Sequence, residues 1–446
     1  MLTVFLKRLS ATQIISLGFF VLILTGTLLL MLPISSRTGE FTPFMTALFT
    51  ATSATCVTGL VLVDTYTHWS LFGQLVLLVL IQIGGLGFIT FGTLVSMIFN
   101  KKITLQQRGW IRESFNVLEI GGVVRLIRRV LKGTLLFEGV GAIILFFCFL
   151  PDMGFGTSLY YGIFHSVSAF CNAGFDLMGQ FGNSSFTAYY DHPVVVFTLI
   201  ALILIGGIGF FCWNDIAEHK FDFKKYALQT KMVLSASIVL VFGGALLFYI
   251  IEGNGLYADM NPVGKICASF FQAVTPRTAG FNTTDTAALS ESGKLLTIML
   301  MFIGGCSGST AGGVKVGTIF VLLLYLRSIL RNSKGTNIFG RRIETDTVSK
   351  ASAVLCIYLF ISMAATLLIC AIDGFAIGDA LFEVISAICT VGMTAGITGQ
   401  LSVVSQILIA FLMYVGRLGS LSFALSFTNQ KKTPHVLLPV ERINIG

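Results

Sequence analysis

Residues 55–60 read TCVTGL, and the same shape returns as FCNAGF at 170–175, PRTAGF at 276–281 and CTVGMT at 389–394. The glycines in these stretches, Gly59, Gly174, Gly280 and Gly392, each lie ten residues after a phenylalanine: Phe49, Phe164, Phe270 and Phe382. A second glycine landmark follows at Gly84, Gly206, Gly304 and Gly416, which is 25, 32, 24 and 24 residues downstream. A short helix, a glycine turn and a long apolar segment thus recur four times. A chain of this kind can fold four similar units about one axis and set four backbone loops there. Glycine permits unusual φ values without a Cβ clash, which lets a loop turn its carbonyls to the axis. Rings of carbonyl oxygens can replace the hydration shell of a cation. One such glycine would mark only a turn; four at matched offsets point to an ion filter.

The composition places that filter in a membrane. The 446 residues are 55% apolar and 11% charged, with a mean hydropathy of +0.87, whereas soluble domains carry about 25% charged residues. Eight stretches are apolar enough to span: Ile14–Leu32, Leu71–Phe99, Leu135–Leu150, Val194–Trp213, Met232–Ile251, Leu295–Leu326, Ala351–Ile372 and Val403–Phe427. The first is long for a signal peptide and lacks a small-residue cleavage site, so it reads as a retained helix. Between the members of each pair sits a shorter semi-polar stretch: Phe41–Thr58, Leu159–Ala173, Gly264–Ala279 and Asp379–Val391. These suit helices that enter and turn back on the same side. The nine cysteines form no CxxC pair and read as small buried hydrophobes rather than ligands.

The expected fold is therefore an all-α membrane protein of four pseudo-repeated helix–pore hairpin–helix units around a central pore. The units are expected at 1–100, 134–218, 219–328 and 350–428. Cytoplasmic linkers are expected at 101–133 and 329–349, and a cytoplasmic tail at 429–446. Lys7 and Arg8, the basic residues of 101–132, Lys220 to Lys231, Arg327 to Lys350, and Lys431, Lys432 and Arg442 all fall on one side. The positive-inside rule makes that side, and both termini, cytoplasmic. The net charge of +8 thus reflects topology and not nucleic-acid binding. The opposite face holds eleven acidic residues, among them Asp64, Asp176 and Asp379, against Arg37, Lys265, Arg277 and Lys294. An acidic vestibule raises the local cation concentration.

The candidate lining residues are Val57, Thr58 and Gly59; Asn172, Ala173 and Gly174; Thr278, Ala279 and Gly280; and Thr390, Val391 and Gly392. Thr58, Asn172, Thr278 and Thr390 are candidates to add side-chain oxygens or to brace the loops. Gly396 also follows a small residue, but the ten-residue offset from Phe382 favours Gly392. Further along, IGGLGF (83–88), IGGIGF (205–210), IGGCSG (303–308) and VGRLGS (415–420) align and set Arg417 beside Gly85, Gly207 and Gly305. An arginine amid apolar residues is costly unless it faces water or a partner. One reading pairs it within the bundle; the other places it at the pore as a barrier to cations. The third unit departs from its siblings at GGCSGSTAGGVKVG (304–317), in which six of fourteen residues are glycine. That is a poor helix, and irregular backbone at membrane depth is tolerated where it lines a cavity. The expectation is a mobile gate below the filter that includes Gly304, Gly305, Ser307, Gly308, Gly312 and Gly313. The GxxxxGK[ST] order of a phosphate-binding loop is absent.

With these motifs in place the sequence resembles the Trk/Ktr/HKT superfamily, and closely the membrane subunit of bacterial Ktr potassium-uptake systems, over essentially the whole chain. The resemblance implies that each of four units supplies one filter glycine, and that four glycines accompany potassium selectivity. It implies that Arg417 lies close to the permeation path and that Lys315 belongs to an intramembrane gating loop. It further implies a homodimer in a bacterial cytoplasmic membrane, bound by a ring of cytosolic nucleotide-binding subunits that sense ATP or ADP. No cofactor is expected on this chain; potassium is the permeating ion and sodium a candidate activator. Potassium uptake driven by the membrane potential is the expected function, with no enzymatic step. The alternative is a secondary cation transporter with a midplane site, since broken helices and repeats occur there too.

Overall fold

The structure, a computed structural model, describes residues 10–87, 90–93, 109, 123–181, 185–220, 222–333 and 335–419. Most of the 101–133 linker, the ends of the expected spans Leu71–Phe99 and Val403–Phe427, and the 429–446 tail lie outside these residues. The first repeat is α1 (Ala11–Met31), α2 (Phe44–Cys56) and α3 (Leu71–Leu86). The second is α4 (Val123–Met153), α5 (Phe155–Cys171), α6 (Pro193–Gly207) and α7 (Phe210–His219). The third is α8 (Leu228–Glu252), α9 (Pro262–Val274), α10 (Glu291–Phe302) and α11 (Val316–Leu330). The fourth is α12 (Thr345–Asp373), α13 (Ile377–Ile388) and α14 (Val403–Leu418). A two-residue hairpin pairs Asn337–Ile338 with Arg341–Arg342 between the last two repeats.

Among the described residues, the four helices long and apolar enough to cross a bilayer are the first of each repeat, α1, α4, α8 and α12. Their outward faces are greasy and exposed, as at Phe20, Leu135, Val239 and Phe360. That is the pattern of a lipid-facing surface. The short helices α2, α5, α9 and α13 bury chiefly their C-terminal halves inside this wall, and from Phe49 to Cys56 every residue of α2 is buried. Serine caps fix where three of the inner helices begin. Ser70, Ser290 and Ser402 accept from the amides of Gly73, Gly293 and Ser405, a contact worth about 1 kcal/mol each. In the second repeat Pro193 opens α6 instead, where its missing N–H costs nothing.

The inner helices differ from expectation. A break is expected in the third repeat alone, yet among the described residues the inner helices of the first and fourth repeats also end, and that of the second bends, just past the second glycine landmark. α3 ends at Gly87 (φ +87°) and α14 at Gly419 (φ +83°). α6 and α7 meet at Gly209 (φ +94°) with a 95° bend. In these three repeats the left-handed glycine stands three residues after Gly84, Gly206 or Gly416, and a left-handed residue cannot continue an α-helix. The stretch Val194–Trp213 is thus not one straight span, and α3 and α14 end within the expected spans at Leu86 and Leu418. In the third repeat the whole segment between α10 and α11 is non-helical, and Ile303 and Val314 form a parallel bridge across its neck.

Candidate functional site

The four short helices end where the glycine motifs begin, and the structure brings those motifs together. A methyl group built on Gly59 would sit 2.6 Å from the carbonyl oxygen of Ala173. One on Gly174 would sit 2.8 Å from that of Ala279, and one on Gly280 2.5 Å from that of Val391. On Gly392 it would overlap the carbonyl oxygen of Thr58. Each glycine therefore abuts the carbonyl just before the next repeat's glycine, and the fourth returns to the first. The ring closes.

The backbone repeats with it. Gly59, Gly174, Gly280 and Gly392 have φ of +97°, +71°, +78° and +91°. Two residues earlier, Val57, Asn172, Thr278 and Thr390 are also left-handed, with φ from +51° to +71°. A left-handed conformation is uncommon for non-glycine residues and marks a constrained site. Val57, not Thr58, is thus the counterpart of Asn172, Thr278 and Thr390; Thr58 occupies the place of Ala173, Ala279 and Val391. The Asn172 amide and the Thr278 hydroxyl lie 3.3 Å apart across a repeat boundary. The buried hydroxyls of Thr58 and Thr390 have no hydrogen-bond partner.

Hydroxyls that the sequence reading had passed over hold these loops. Ser53 and Ser386 accept hydrogen bonds from the amides of Gly59 (3.0 Å) and Gly392 (3.1 Å). Ser168 donates to the Phe175 carbonyl (2.7 Å) and Thr275 to the Phe281 carbonyl (2.5 Å). Three of these stand six residues before their glycine, an offset visible in the sequence once the glycines are aligned. Thr275 stands five before, and the third repeat departs elsewhere too. Its fully buried phenylalanine is Phe271, while Phe270 is only half-buried, so the ten-residue offset picks a neighbour there. α9 stops at Val274, six residues before Gly280, with Pro276 unable to donate to the helix. Gly396 is also left-handed (φ +94°), but a methyl group there would meet only Ala287 Cβ at 3.6 Å. It takes no part in the ring.

The second glycine landmark lets the inner helices touch the ends of the short ones. A methyl group on Gly84, Gly206 or Gly416 would overlap the carbonyl oxygen of Thr55, Phe170 or Ile388, each four residues before its ring glycine. Gly304 breaks the pattern, since a methyl group there would meet the Gly312 carbonyl oxygen of its own loop at 2.5 Å. The 303–316 loop is pinned at its neck by Gly304 N to Val314 O (2.9 Å) and Val316 N to Gly305 O (3.1 Å). It reaches the second repeat through Cys306 N to Gly207 O (3.0 Å), Phe210 N to Gly308 O (2.8 Å) and the Thr310 hydroxyl to Phe170 O (3.2 Å). It meets the fourth repeat where Gly312 abuts the Thr390 hydroxyl and Gly313 lies against Cys389.

Arg417 reaches both the loop and the first repeat. Its guanidinium donates to the carbonyls of Thr310, Gly84 and Gly85, the last at 3.1 Å. Arg417 is thus paired within the bundle, its partners being the loop and an inner helix end. Gly207 and Gly305, aligned with Gly85, meet each other, the Gly207 carbonyl lying 3.3 Å from a methyl on Gly305. The Lys315 ammonium folds back onto its own loop, donating to Ala311 O (2.7 Å) and Gly312 O (3.1 Å). Ser307 caps no part of this network, though Ser309 donates to Cys306 O (2.7 Å). Arg277, counted above with the outer-face charges, is buried instead.

Residues 5–435 match the family described as TrkH, cation transport protein. The chain belongs to this family. It is 40% identical to the potassium/sodium uptake protein NtpJ of Enterococcus hirae, over 99% of this chain and 98% of that one. It is 39% identical to the Ktr system potassium uptake protein B of Bacillus subtilis, over 96% of this chain and 95% of that protein. The crystal structure of the potassium transporter TrkH from Vibrio parahaemolyticus superposes with a TM-score of 0.72. That match covers 92% of this chain and 84% of the other at 18% identity, so the fold is shared. The protein is a multi-pass all-α membrane protein with the TrkH architecture of repeated helix–pore–helix units around a pore. Its family is one of transport proteins, not of enzymes.

Proposed function

We propose that this protein takes up potassium through a channel-like filter formed by the Gly59, Gly174, Gly280 and Gly392 loops. The observation that carries the reading is the closed ring in which each glycine abuts a carbonyl of the next repeat. Four loops held that closely set backbone oxygens where a dehydrating monovalent cation needs them. The buried hydroxyls of Thr58 and Thr390, one and two residues before their ring glycines, have no partner and are further candidate oxygen ligands. α2, α5, α9 and α13 direct the partial negative charge of their C-termini toward the ring. The relatives named for potassium uptake support the choice of ion, and the potassium/sodium name of the Enterococcus hirae relative leaves sodium as a second permeant or an activator.

The reading extends along the pathway. Cations gather at the acidic outer face, pass the ring, and meet the 304–317 loop and Arg417, which together close the inner side. Gly304, Gly305, Ser307, Gly308, Gly312, Gly313 and Lys315 belong to that gate. It bridges the second and fourth repeats, and its high glycine content supports a segment able to move. The four units at 1–100, 134–218, 219–328 and 350–428 each supply one filter loop. Both termini face the cytoplasm of a bacterium, the chain pairs as a homodimer, and a nucleotide-binding cytosolic subunit works the gate.

The test is rubidium and potassium uptake in cells lacking other uptake systems, with and without sodium and with and without the regulatory subunit. Uptake that rises with membrane potential supports the reading. Tight stoichiometric exchange with a second ion would establish a secondary transporter instead.

A further inference from the structure

The residue three before each ring glycine is Cys56, Cys171, Arg277 and Cys389. Three neutral cysteines and one arginine occupy equivalent places at the ends of the short helices. All four are buried: the cysteines completely, and Arg277 with 4% of its surface exposed. The Arg277 Nη2 donates to Ser237 Oγ of α8 (3.0 Å), which sets the guanidinium behind the third ring loop, on the side of its own outer helix. Its Nε and Nη1 are buried without a hydrogen-bond partner. No carboxylate pairs with it among the described residues. Cys306, at the root of the 303–316 loop, lies within electrostatic reach of both Arg277 and Lys315.

A buried guanidinium with two idle donors and no counter-charge is among the costliest groups a fold can hold. Arg277 stands three residues past the C-terminus of α9, the kind of helix end where a cation is favoured. The same placement changes what that helix offers a passing ion. In the other repeats the helix end contributes roughly half a negative elementary charge, and in the third a full positive charge stands three residues beyond it. The repeats are therefore electrically unequal although their backbones match.

We propose that Arg277 is a specificity-determining charge of the filter, set to weaken cation binding at the ring so that the ion is released and not trapped. The proposal rests on the potassium-permeation reading above. A unit charge held three residues from a ring glycine, in the screened interior, changes the affinity for the ion by on the order of tenfold.

The experiment compares rubidium uptake by the native chain and by Arg277→Lys, Arg277→Met and Arg277→Cys, expressed with the regulatory subunit and normalised to protein in the membrane. Arg277→Lys keeps the charge and should retain the native apparent KM. Arg277→Met and Arg277→Cys should lower KM about tenfold and lower the maximal rate alongside it, a split that loss of folded protein does not produce. Neutral variants with native KM and maximal rate would overturn the proposal. So would a lysine variant that behaves like the methionine variant, since shape and not charge would then matter. If neither neutral variant reaches the membrane while Arg277→Lys does, the charge is structural and the proposal fails. Absence of potassium or rubidium uptake by the native chain would instead refute the permeation reading itself.

Discussion

Replacing Gly59 or Gly392 by serine tests the ring directly, because the structure gives the size of the insult. At Gly59 the new Cβ would stand 2.6 Å from the Ala173 oxygen. Relief to even a tight 3.0 Å contact moves that carbonyl about 0.4 Å, and to an ordinary one about 0.8 Å. At Gly392 the overlap with the Thr58 carbonyl is worse. Both positions also hold φ above +90°, which costs a non-glycine residue about 1–3 kcal/mol. A carbonyl moved by several tenths of an ångström no longer matches the ion it was set for. We expect rubidium affinity to fall tenfold to a hundredfold, about 1.4–2.8 kcal/mol, and sodium to compete better. Gly396→Ala is the matched control. It suffers the same strain at φ +94° but meets only a methyl group at 3.6 Å, so it should lower thermal stability without changing ion preference. The assay is rubidium uptake under graded sodium competition, with melting of the purified protein beside it. If Gly59→Ser and Gly392→Ser, present at native levels, leave the rubidium-to-sodium preference where it was, the ring does not select the ion.

Shortening residues 306–313 should raise uptake in the absence of the regulatory subunit, since it removes the contacts to Gly207 and Phe210; uptake that stays low in inserted protein would count against the gate. Arg417→Gln removes a charge that bridges Thr310 to Gly84 and should likewise raise basal flux, checked as leak current in proteoliposomes. Ser53→Ala and Ser386→Ala each strand a buried glycine amide, so each should cost about 1–3 kcal/mol, read as a lower melting midpoint, with rubidium selectivity weakened. Asp176, in the loop that follows Gly174, has its carboxyl pushed up to about 6 by burial and by the neighbouring charge of Asp64, against bonds from Met178 N and Ser185 that oppose the rise. A raised carboxylate is ionised, at some cost to stability, above that value and neutral below it. Uptake should therefore weaken as external pH falls through about 6, and Asp176→Asn should be slow throughout and lack that step; an unchanged pH profile would remove Asp176 from the vestibule.

Much of this was readable from the linear chain because repeats are written locally. The four glycines, their preceding short helices and the apolar stretches are features of a few dozen residues each, set by propensity and hydropathy within the segment. The gate segment declared itself in the same way, since six glycines in fourteen residues cannot sustain a helix. Two local signals were misread. The IGGLGF-type motifs carry a further glycine three residues after the landmark, and it stops α3, bends α6 into α7 and ends α14. The third repeat slips by one, so that Phe271 and Thr275 take the places that the offset assigns to Phe270 and Val274.

Contacts between repeats are another matter, because their partners lie roughly a hundred residues or more apart and no local pattern encodes them. That Gly392 closes on Thr58 and that Arg417 spans from Gly84 to Thr310 follow from how four hairpins crowd one axis. Local chemistry chose glycine wherever backbones had to approach; the close packing of the assembled repeats chose which carbonyl each glycine would face.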